Sequence, residues 1–160
     1  MELSSRVIQS MHSENTERIG NVIGQNMQGH EVLELIGDLG GGKTTFVRGI
    51  AKGLGSSSHV TSPTFKITNR YEFPAGHSHT SGELAHFDLY RLNEAGVIGE
   101  EINEALHEPN VVMVLEWAHT VRDVLPQERL TIEFVATDHN IRMLKFSWPS
   151  SLDYLMRNVT

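Results

Sequence analysis

An α/β fold, with a mostly parallel central sheet flanked by helices and an antiparallel hairpin at its C-terminal end, is predicted by three observations. A short apolar run from Val32 to Ile36 leads into a glycine-rich loop, and the loop leads into residues at helical spacing. Val111 to Leu115 is the most apolar run in the chain and reads as a strand buried on both faces. Leu130 to Thr137 and Ile141 to Trp148 alternate apolar and polar residues across Thr137-Asp138-His139-Asn140, which is a hairpin signature.

The remaining elements follow in chain order. Ile19, Val22, Ile23 and Met27 recur at helical spacing behind Asn15 and Thr16, which offer an N-cap, so an amphipathic helix is predicted there. Gly29 and His30 break that pattern before the strand at Val32 to Ile36, where only Glu34 interrupts the apolar run. Gly37 to Thr45 form the loop, and Phe46, Val47, Ile50, Ala51 and Leu54 carry the next helix to Gly55, a glycine suited to its C-terminal cap. Ser56 to Ser58 and Ser62-Pro63-Thr64 mark loops, after which Phe65, Ile67 and Tyr71 alternate as strand residues do. Pro74 to Gly82, rich in Gly, Ser and His, connects that strand to a further run from Leu84 to Leu92. Glu94 to Leu106 is acidic, with Val97, Ile98, Ile102, Ala105 and Leu106 suiting a surface helix weakened by Gly96 and Gly99. No internal repeat or linker interrupts the sequence, so residues 1–160 are predicted to form a single domain.

Composition removes several classes of function. With 39% hydrophobic residues, 21% charged and 7% aromatic, the chain has material for one core and no signature of disorder. Its net charge of −7 argues against sequence-independent binding of bare nucleic acid by charge alone, so any role on RNA calls for a basic partner. The absence of cysteine excludes a disulfide scaffold, a thiolate zinc site, an iron–sulfur cluster and a thiol nucleophile, and is compatible with a reducing cytoplasm. No stretch approaches the roughly 20 apolar residues that span a bilayer. Met1 to Met11 has too little apolar run for a signal peptide, so a cytoplasmic location without a membrane role is expected.

The chemistry is concentrated in Gly37-Asp38-Leu39-Gly40-Gly41-Gly42-Lys43-Thr44, which matches the phosphate-binding pattern G-x-x-x-x-G-K-[ST]. The loop falls between a predicted strand and a predicted helix. There, glycines without Cβ let consecutive N–H groups turn onto a phosphate, and the helix N-terminus adds its positive end. The fold is therefore expected to be P-loop NTPase-like, with Lys43 reaching the β- and γ-phosphates and the Thr44 hydroxyl ligating Mg²⁺. The bland alternative is a glycine-rich turn with an incidental lysine.

A nucleotide bound in this way needs a carboxylate near its metal, and two acids end apolar runs. Glu116 follows Val111 to Leu115, as expected of a strand ending beside the phosphate loop, and is assigned to the metal directly or through water. Asp88, within His86-Phe87-Asp88-Leu89-Tyr90-Arg91, is assigned to positioning water or to a second metal contact. The two roles are open to exchange, and the bland alternative for either acid, weaker for Glu116 than for Asp88, is an ordinary strand end. Thr64 after Ser62-Pro63 is a candidate sensor of the γ-phosphate, although Ser-Pro-Thr is ordinarily a turn. Trp117 is either a core aromatic or a contact for nucleotide or partner. His77, His79 and His86 raise the question of zinc, but without cysteine and with two of the three in a loop they read as a solvated cluster.

Taken together, Gly37-Asp38-Leu39-Gly40, Gly42-Lys43-Thr44-Thr45, Ser62-Pro63-Thr64, His86-Phe87-Asp88-Leu89-Tyr90-Arg91-Leu92 and Leu115-Glu116-Trp117-Ala118 resemble, in order and spacing, the TsaE (YjeE) family. The resemblance covers nearly the whole chain. It implies a small ATPase that binds ATP or ADP with Mg²⁺ and works with two partner proteins, TsaB and TsaD. Together these would make threonylcarbamoyladenosine beside the anticodon of tRNAs reading codons that begin with A, so that tRNA is met indirectly through the complex. By this likeness Gly40, Gly41, Gly42, Lys43, Thr44 and Thr45 would bind phosphate, Glu116 would hold Mg²⁺, and Asp88 and Trp117 would be needed for activity. Thr16 and Arg142 fall at family positions near the nucleotide base. Two features depart from the family: Gly41 stands where Ala is usual, and Pro74 to Gly82 is long and His-rich.

Two other readings share the loop. A small-molecule kinase would carry an arginine-rich lid, whereas the nine Arg here are scattered. A nucleotide-gated docking module would need ATP only to order a surface. No Asn-Lys-x-Asp run that would read guanine is present, which leans away from a GTPase. With no arginine finger visible in cis, slow turnover without partners is expected.

Overall fold

A computed structural model describes residues 1–38, 40, 42–63, 66–92 and 96–160. Leu39, Gly41, Thr64, Phe65 and Glu94, all named above, lie outside the described residues. In chain order the elements are β1 (Leu3–Ser10), α1 (Ser13–Asn26), β2 (Val32–Ile36), α2 (Lys43–Gly53), β3 (Thr68–Phe73), β4 (Gly82–Asp88), α3 (Gly96–His107), β5 (Val111–Glu116), β6 (Leu130–Ala136) and β7 (Arg142–Pro149). Short 3₁₀ turns follow β5 at Ala118–Thr120 and Arg122–Val124, and another follows β7 at Ser150–Met156.

The strands form one sheet in the order β1-β7-β6-β2-β5-β4-β3. Its centre, β6-β2-β5-β4, is parallel throughout, and β3 and the β7-β1 pair are added antiparallel at the two edges. β5 is buried at every position, as its continuous apolar run requires, because helices cover both faces of the parallel centre. On one face Ile19, Ile23, Phe46 and Ile50 of α1 and α2 pack over Leu33, Leu35, Val112 and Val114. On the other face Ile98, Ile102 and Ala105 of α3 pack over Ala85, Phe87, Met113 and Leu115.

α1 and α2 meet glycine to glycine. A Cβ added at Gly20 would lie 2.4 Å from the Phe46 carbonyl oxygen, and one at Gly49 would lie 2.1 Å from that of Glu17. Gly24 and Gly53, one helical turn further on, would each meet backbone at similarly forbidden distances of 2.4 and 2.2 Å. Side chains at these positions would force the helices apart, at a cost of roughly 1–3 kcal/mol or more each. The close seam fixes α2, and with it the start of the helix at Lys43, against α1.

The structure departs from the sequence-based expectation mainly at element ends. α1 begins at Ser13 with His12 as its N-cap, so Asn15 and Thr16 lie inside the first turns. The second helix starts at Lys43 instead of Phe46, and Gly55 adopts a positive φ of 90° one place beyond the C-cap Leu54. β3 starts only at Thr68, with Ile67 exposed before it, and β4 ends at Asp88 instead of running to Leu92. β1 has no counterpart in the sequence reading. Most of its residues are exposed, so no core-facing alternation marks it, and its pairing with β7 is what holds it. Among the described residues no helix is long and apolar enough to cross a membrane.

Candidate functional site

Because β2, β5 and β4 run parallel, their C-terminal ends share one edge of the sheet. Leu35 pairs with Glu116, and Asp88 pairs with Glu116 from the other side. The glycine loop leaves β2 at this edge and enters α2 through Gly42, whose left-handed φ of 97° is strained for any residue with a Cβ. Gly40 is also left-handed, with φ 76°. The side-chain period of two places Val112, Val114 and Glu116 of β5 on the face covered by α1 and α2, together with Leu84, His86 and Asp88 of β4. Lys43, at the first turn of α2, looks down on the same edge.

Lys43 is only 5% exposed, and its ammonium is engaged on three sides. It donates a hydrogen bond to the carbonyl of Gly37, lies 3.8 Å from Glu116 Oε1 and sits 4.6 Å from the centre of the Trp117 ring. Burial lowers its pKa from the ordinary lysine value, and the charges of Glu116, Asp88 and Asp38 pull in the opposite direction. Glu116 is 3% exposed, and its second oxygen accepts from His86 Nε2 at 2.7 Å. Asp88 is half-buried and accepts from the Tyr90 backbone N–H at 3.1 Å. Burial raises its pKa, the charge of Glu116 raises it further, and the Tyr90 hydrogen bond, His86 and Lys43 oppose the rise.

Trp117 joins the two alternatives left open by sequence, since it packs against the core cluster under α3 and also lines the cavities beside the loop. It is partly buried, with its ring 4.9 Å from that of Tyr90 on one hand and facing Lys43 on the other. Its backbone is left-handed, φ 57°, a conformation that costs a residue with a Cβ on the order of 1–3 kcal/mol. This kink turns the chain away immediately after Glu116 and brings the indole back over the loop.

Two cavities meet at Gly40 and Trp117. The smaller, about 380 Å³, is lined by Lys43, Thr44, Thr45, Asp88 and Glu116 together with Ser62. The larger, about 650 Å³, is bounded by Asp38, Arg122, Glu133, Phe134 and Arg142. Arg142 donates from Nη1 to the carbonyls of Asp138 and Ile141 at 3.0 and 3.1 Å and from Nη2 to that of Gly40 at 3.3 Å, linking the C-terminal hairpin to the glycine loop. Thr16 lines neither cavity. It is buried behind the loop, with its hydroxyl 2.7 Å from Ser10 Oγ and its methyl 3.8 Å from where a Cβ on Gly42 would stand.

Of the residues singled out by sequence, Gly40, Gly42, Lys43, Thr44, Thr45, Asp88, Glu116 and Trp117 are brought together, and Arg142 reaches them through Gly40. Gly41 and Thr64 are outside the described residues. The solvated histidine cluster is corrected in one member: His77 is exposed and His79 partly so, but His86 is fully buried on Glu116. The signal was its place two residues before Asp88 in a strand, which puts both on one face. Arg122, held by the buried Glu34 at 3.1 Å, is a cavity residue that sequence reading passed over. It stands in a 3₁₀ turn with no motif of its own.

A strand, a glycine loop closing on a buried lysine at the start of a helix, and acids at the ends of the neighbouring parallel strands define a P-loop NTPase fold, built to bind nucleotide. Residues 10–144 match the family described as "Threonylcarbamoyl adenosine biosynthesis protein TsaE". The tRNA threonylcarbamoyladenosine biosynthesis protein TsaE of Bacillus subtilis is 37% identical over 141 residues, which cover 86% of this chain and 82% of that protein. Its counterpart in Aquifex aeolicus is 42% identical over 107 residues, covering 64% of this chain and 75% of the relative. The crystal structure of Bacillus subtilis YdiB superposes with a TM-score of 0.74 at 30% identity, covering 99% of this chain and 96% of that one. The chain belongs to the TsaE family, whose members serve the biosynthesis of threonylcarbamoyladenosine in tRNA.

Proposed function

We propose that residues 1–160 act as one Mg²⁺-dependent ATPase unit that supports TsaB and TsaD in forming N6-threonylcarbamoyladenosine next to the anticodon of tRNAs reading codons that begin with A. The observation that carries the reading is the convergence of Lys43, Glu116 and Asp88 on one cavity at the mouth of the glycine loop. The Thr44 hydroxyl and the Glu116 and Asp88 carboxylates are hard oxygen donors, and so few carboxylates beside a phosphate loop suit Mg²⁺, which keeps waters and shares phosphate oxygens. When bound, Mg²⁺ would neutralise charge on the β- and γ-phosphates.

The chain's own groups then have distinct work. Lys43, freed from the Gly37 carbonyl, reaches the β- and γ-phosphates, and its ammonium neutralises the charge that grows on the leaving β-phosphate as the bridge to the γ-phosphate breaks. Trp117 lies over the lysine ammonium, and an indole there displaces water that would weaken the interaction. Asp88, with its raised pKa, orients the attacking water in line with the γ-phosphate and takes up its proton. Thr64 senses the γ-phosphate, and Thr45 and the glycines Gly40 to Gly42 hold the phosphates. Arg142, from the hairpin, is assigned to the nucleoside, and Thr16, which lines neither cavity, to the same end indirectly, by backing Gly42. None of the described residues lining the phosphate cavity is an arginine, which supports slow turnover until a partner completes the site. The tRNA is met through that complex, and the setting is the cytoplasm.

The test is phosphate release from Mg-ATP by the purified protein, alone and with TsaB, TsaD and tRNA, beside Asp88→Ala and Glu116→Ala. Partner-stimulated release that both substitutions abolish is the expected outcome. Tight ATP binding with no release under any condition would replace the ATPase by a nucleotide-gated docking module, and a phosphorylated metabolite would replace it by a kinase.

A further inference from the structure

We propose that His86 is a positioning residue for the carboxylate of Glu116, holding one oxygen so that the other faces the phosphate cavity. The inference rests on the reading of Glu116 as the carboxylate that serves Mg²⁺. His86 pairs with Val114 across the parallel β4-β5 ladder, which makes Glu116 its diagonal neighbour on the same face. From there the imidazole Nε2 reaches Glu116 Oε2 at 2.7 Å, and Oε1 is left on the side of Lys43, 3.8 Å away. One carboxylate is thus divided between two tasks: Oε2 is bound to the sheet, and Oε1 is presented to the site.

The pair is dry, with His86 0% and Glu116 3% exposed. Of the two ring nitrogens only Nε2 has a partner, and the buried Nδ1 has none among the described residues. A carboxylate oxygen accepts, so Nε2 is the donor of this bond, and the second ring nitrogen makes no bond of its own among the described residues. An unpaired polar atom in the core costs free energy that an apolar side chain at this slot would avoid. The one polar contact that the imidazole does make is therefore the function of the residue type, and it is directed at the site. Fixing a ligand's rotamer from outside the coordination sphere raises metal affinity because the free carboxylate would otherwise sample several orientations. Without the imidazole, Glu116 is free to give both oxygens to Lys43 as a paired fork, which would withdraw the carboxylate and the lysine together from phosphate and metal.

The measurement is the affinity of a fluorescent ADP analogue in excess Mg²⁺ divided by its affinity in EDTA, taken for the full chain and for H86Q, H86N and H86L, with thermal melting as the check of folding. Gln places its amide nitrogen where Nε2 stands, whereas Asn ends near Nδ1 and Leu offers no donor. The Mg²⁺-dependent ratio is expected to fall roughly 10- to 100-fold in H86L and H86N and to return in H86Q. If H86L does not fold, the contrast between the two amides carries the test, since they differ in reach and not in polarity. Equal ratios in H86N, H86Q and the parent chain overturn the inference. E116Q run in parallel separates the two levels. Loss of the ratio in E116Q with no loss in H86N leaves the metal reading standing and removes the role of His86. A full ratio in E116Q removes the metal reading itself and this inference with it.

Discussion

On one side of Gly40 and Trp117 lies a cavity of about 380 Å³ whose walls are buried charge, and on the other lies one of about 650 Å³ walled by a hairpin and strand ends. The first is assembled from side chains that point at one another: Lys43 at Glu116, His86 at Glu116, Trp117 at Lys43. The second is held more by backbone, since Arg142 spends its hydrogen bonds on carbonyls of its own hairpin and of the loop, with the Arg122–Glu34 pair beside it. Desolvated charges that face each other are sensitive to the loss of any one member, because the survivor is left unpaired in low dielectric. A wall tied together by several carbonyl contacts yields gradually. The contrast orders the substitutions expected to matter.

Lys43→Ala and Glu116→Ala should do most harm, lowering Mg-ATP hydrolysis by about 10²- to 10³-fold, the scale of losing one preorganised electrostatic group. Rates within a few-fold of the parent chain would break the contrast at its strongest point. Asp88→Asn should cost hydrolysis about 10²-fold, as for loss of a general base, while nucleotide binding persists. The same variant should melt higher, by about 2 to 4 °C for each kcal/mol relieved, because it removes a charge that burial and Glu116 disfavour. The sign follows from the raised pKa. Folded Asp88 holds a proton more firmly than the unfolded chain does, so its contribution to stability is present at low pH and is lost as pH rises through the folded value. The gain in Asp88→Asn is accordingly largest at neutral pH and fades on acidification, which a melting series across pH would reveal.

Trp117→Ala touches the wall common to both cavities and should weaken nucleotide binding by about 2- to 30-fold, the range of a partly desolvated cation–π contact of roughly 0.5 to 2 kcal/mol. Arg142→Ala should have the smallest effect, a loss of affinity of about 2- to 10-fold from roughly 0.5 to 1.5 kcal/mol, read by titration with labelled nucleotide. A loss larger than that of Glu116→Ala would mean that the hairpin wall, not the charged one, governs binding.

What sequence reveals of this arrangement divides along the same line. The loop, Lys43, Thr44 and Glu116 are legible because each sits inside a local pattern, a glycine spacing or an acid closing an apolar run. Asp88 is legible as a strand-end acid, although its partnership with Glu116 needs the register of β4 against β5, which lies in pairing and not in either strand alone. His86 is half legible: its place two residues before Asp88 sets it on that acid's face, but the Glu116 it touches lies on another strand and needs the same register. The seam between α1 and α2 escapes: Gly20 and Gly24 look like helix weakeners until Gly49 and Gly53 are set against them. The edge strand β1 has no amphipathic signal, since the sheet binds it through backbone and its side chains remain mostly exposed.

The glycine seam has a mechanical side. Two helices separated by cushioning side chains can slide or tilt by repacking rotamers, but backbone seated on backbone has no rotamers to repack. α1 and α2 therefore share a contact with no side-chain cushion at these four glycines, and α2 begins at Lys43. Between the outer face of α1, where Glu14, Arg18 and Gln25 meet solvent, and the helix that starts at the lysine, the seam thus interposes backbone in place of a compliant layer.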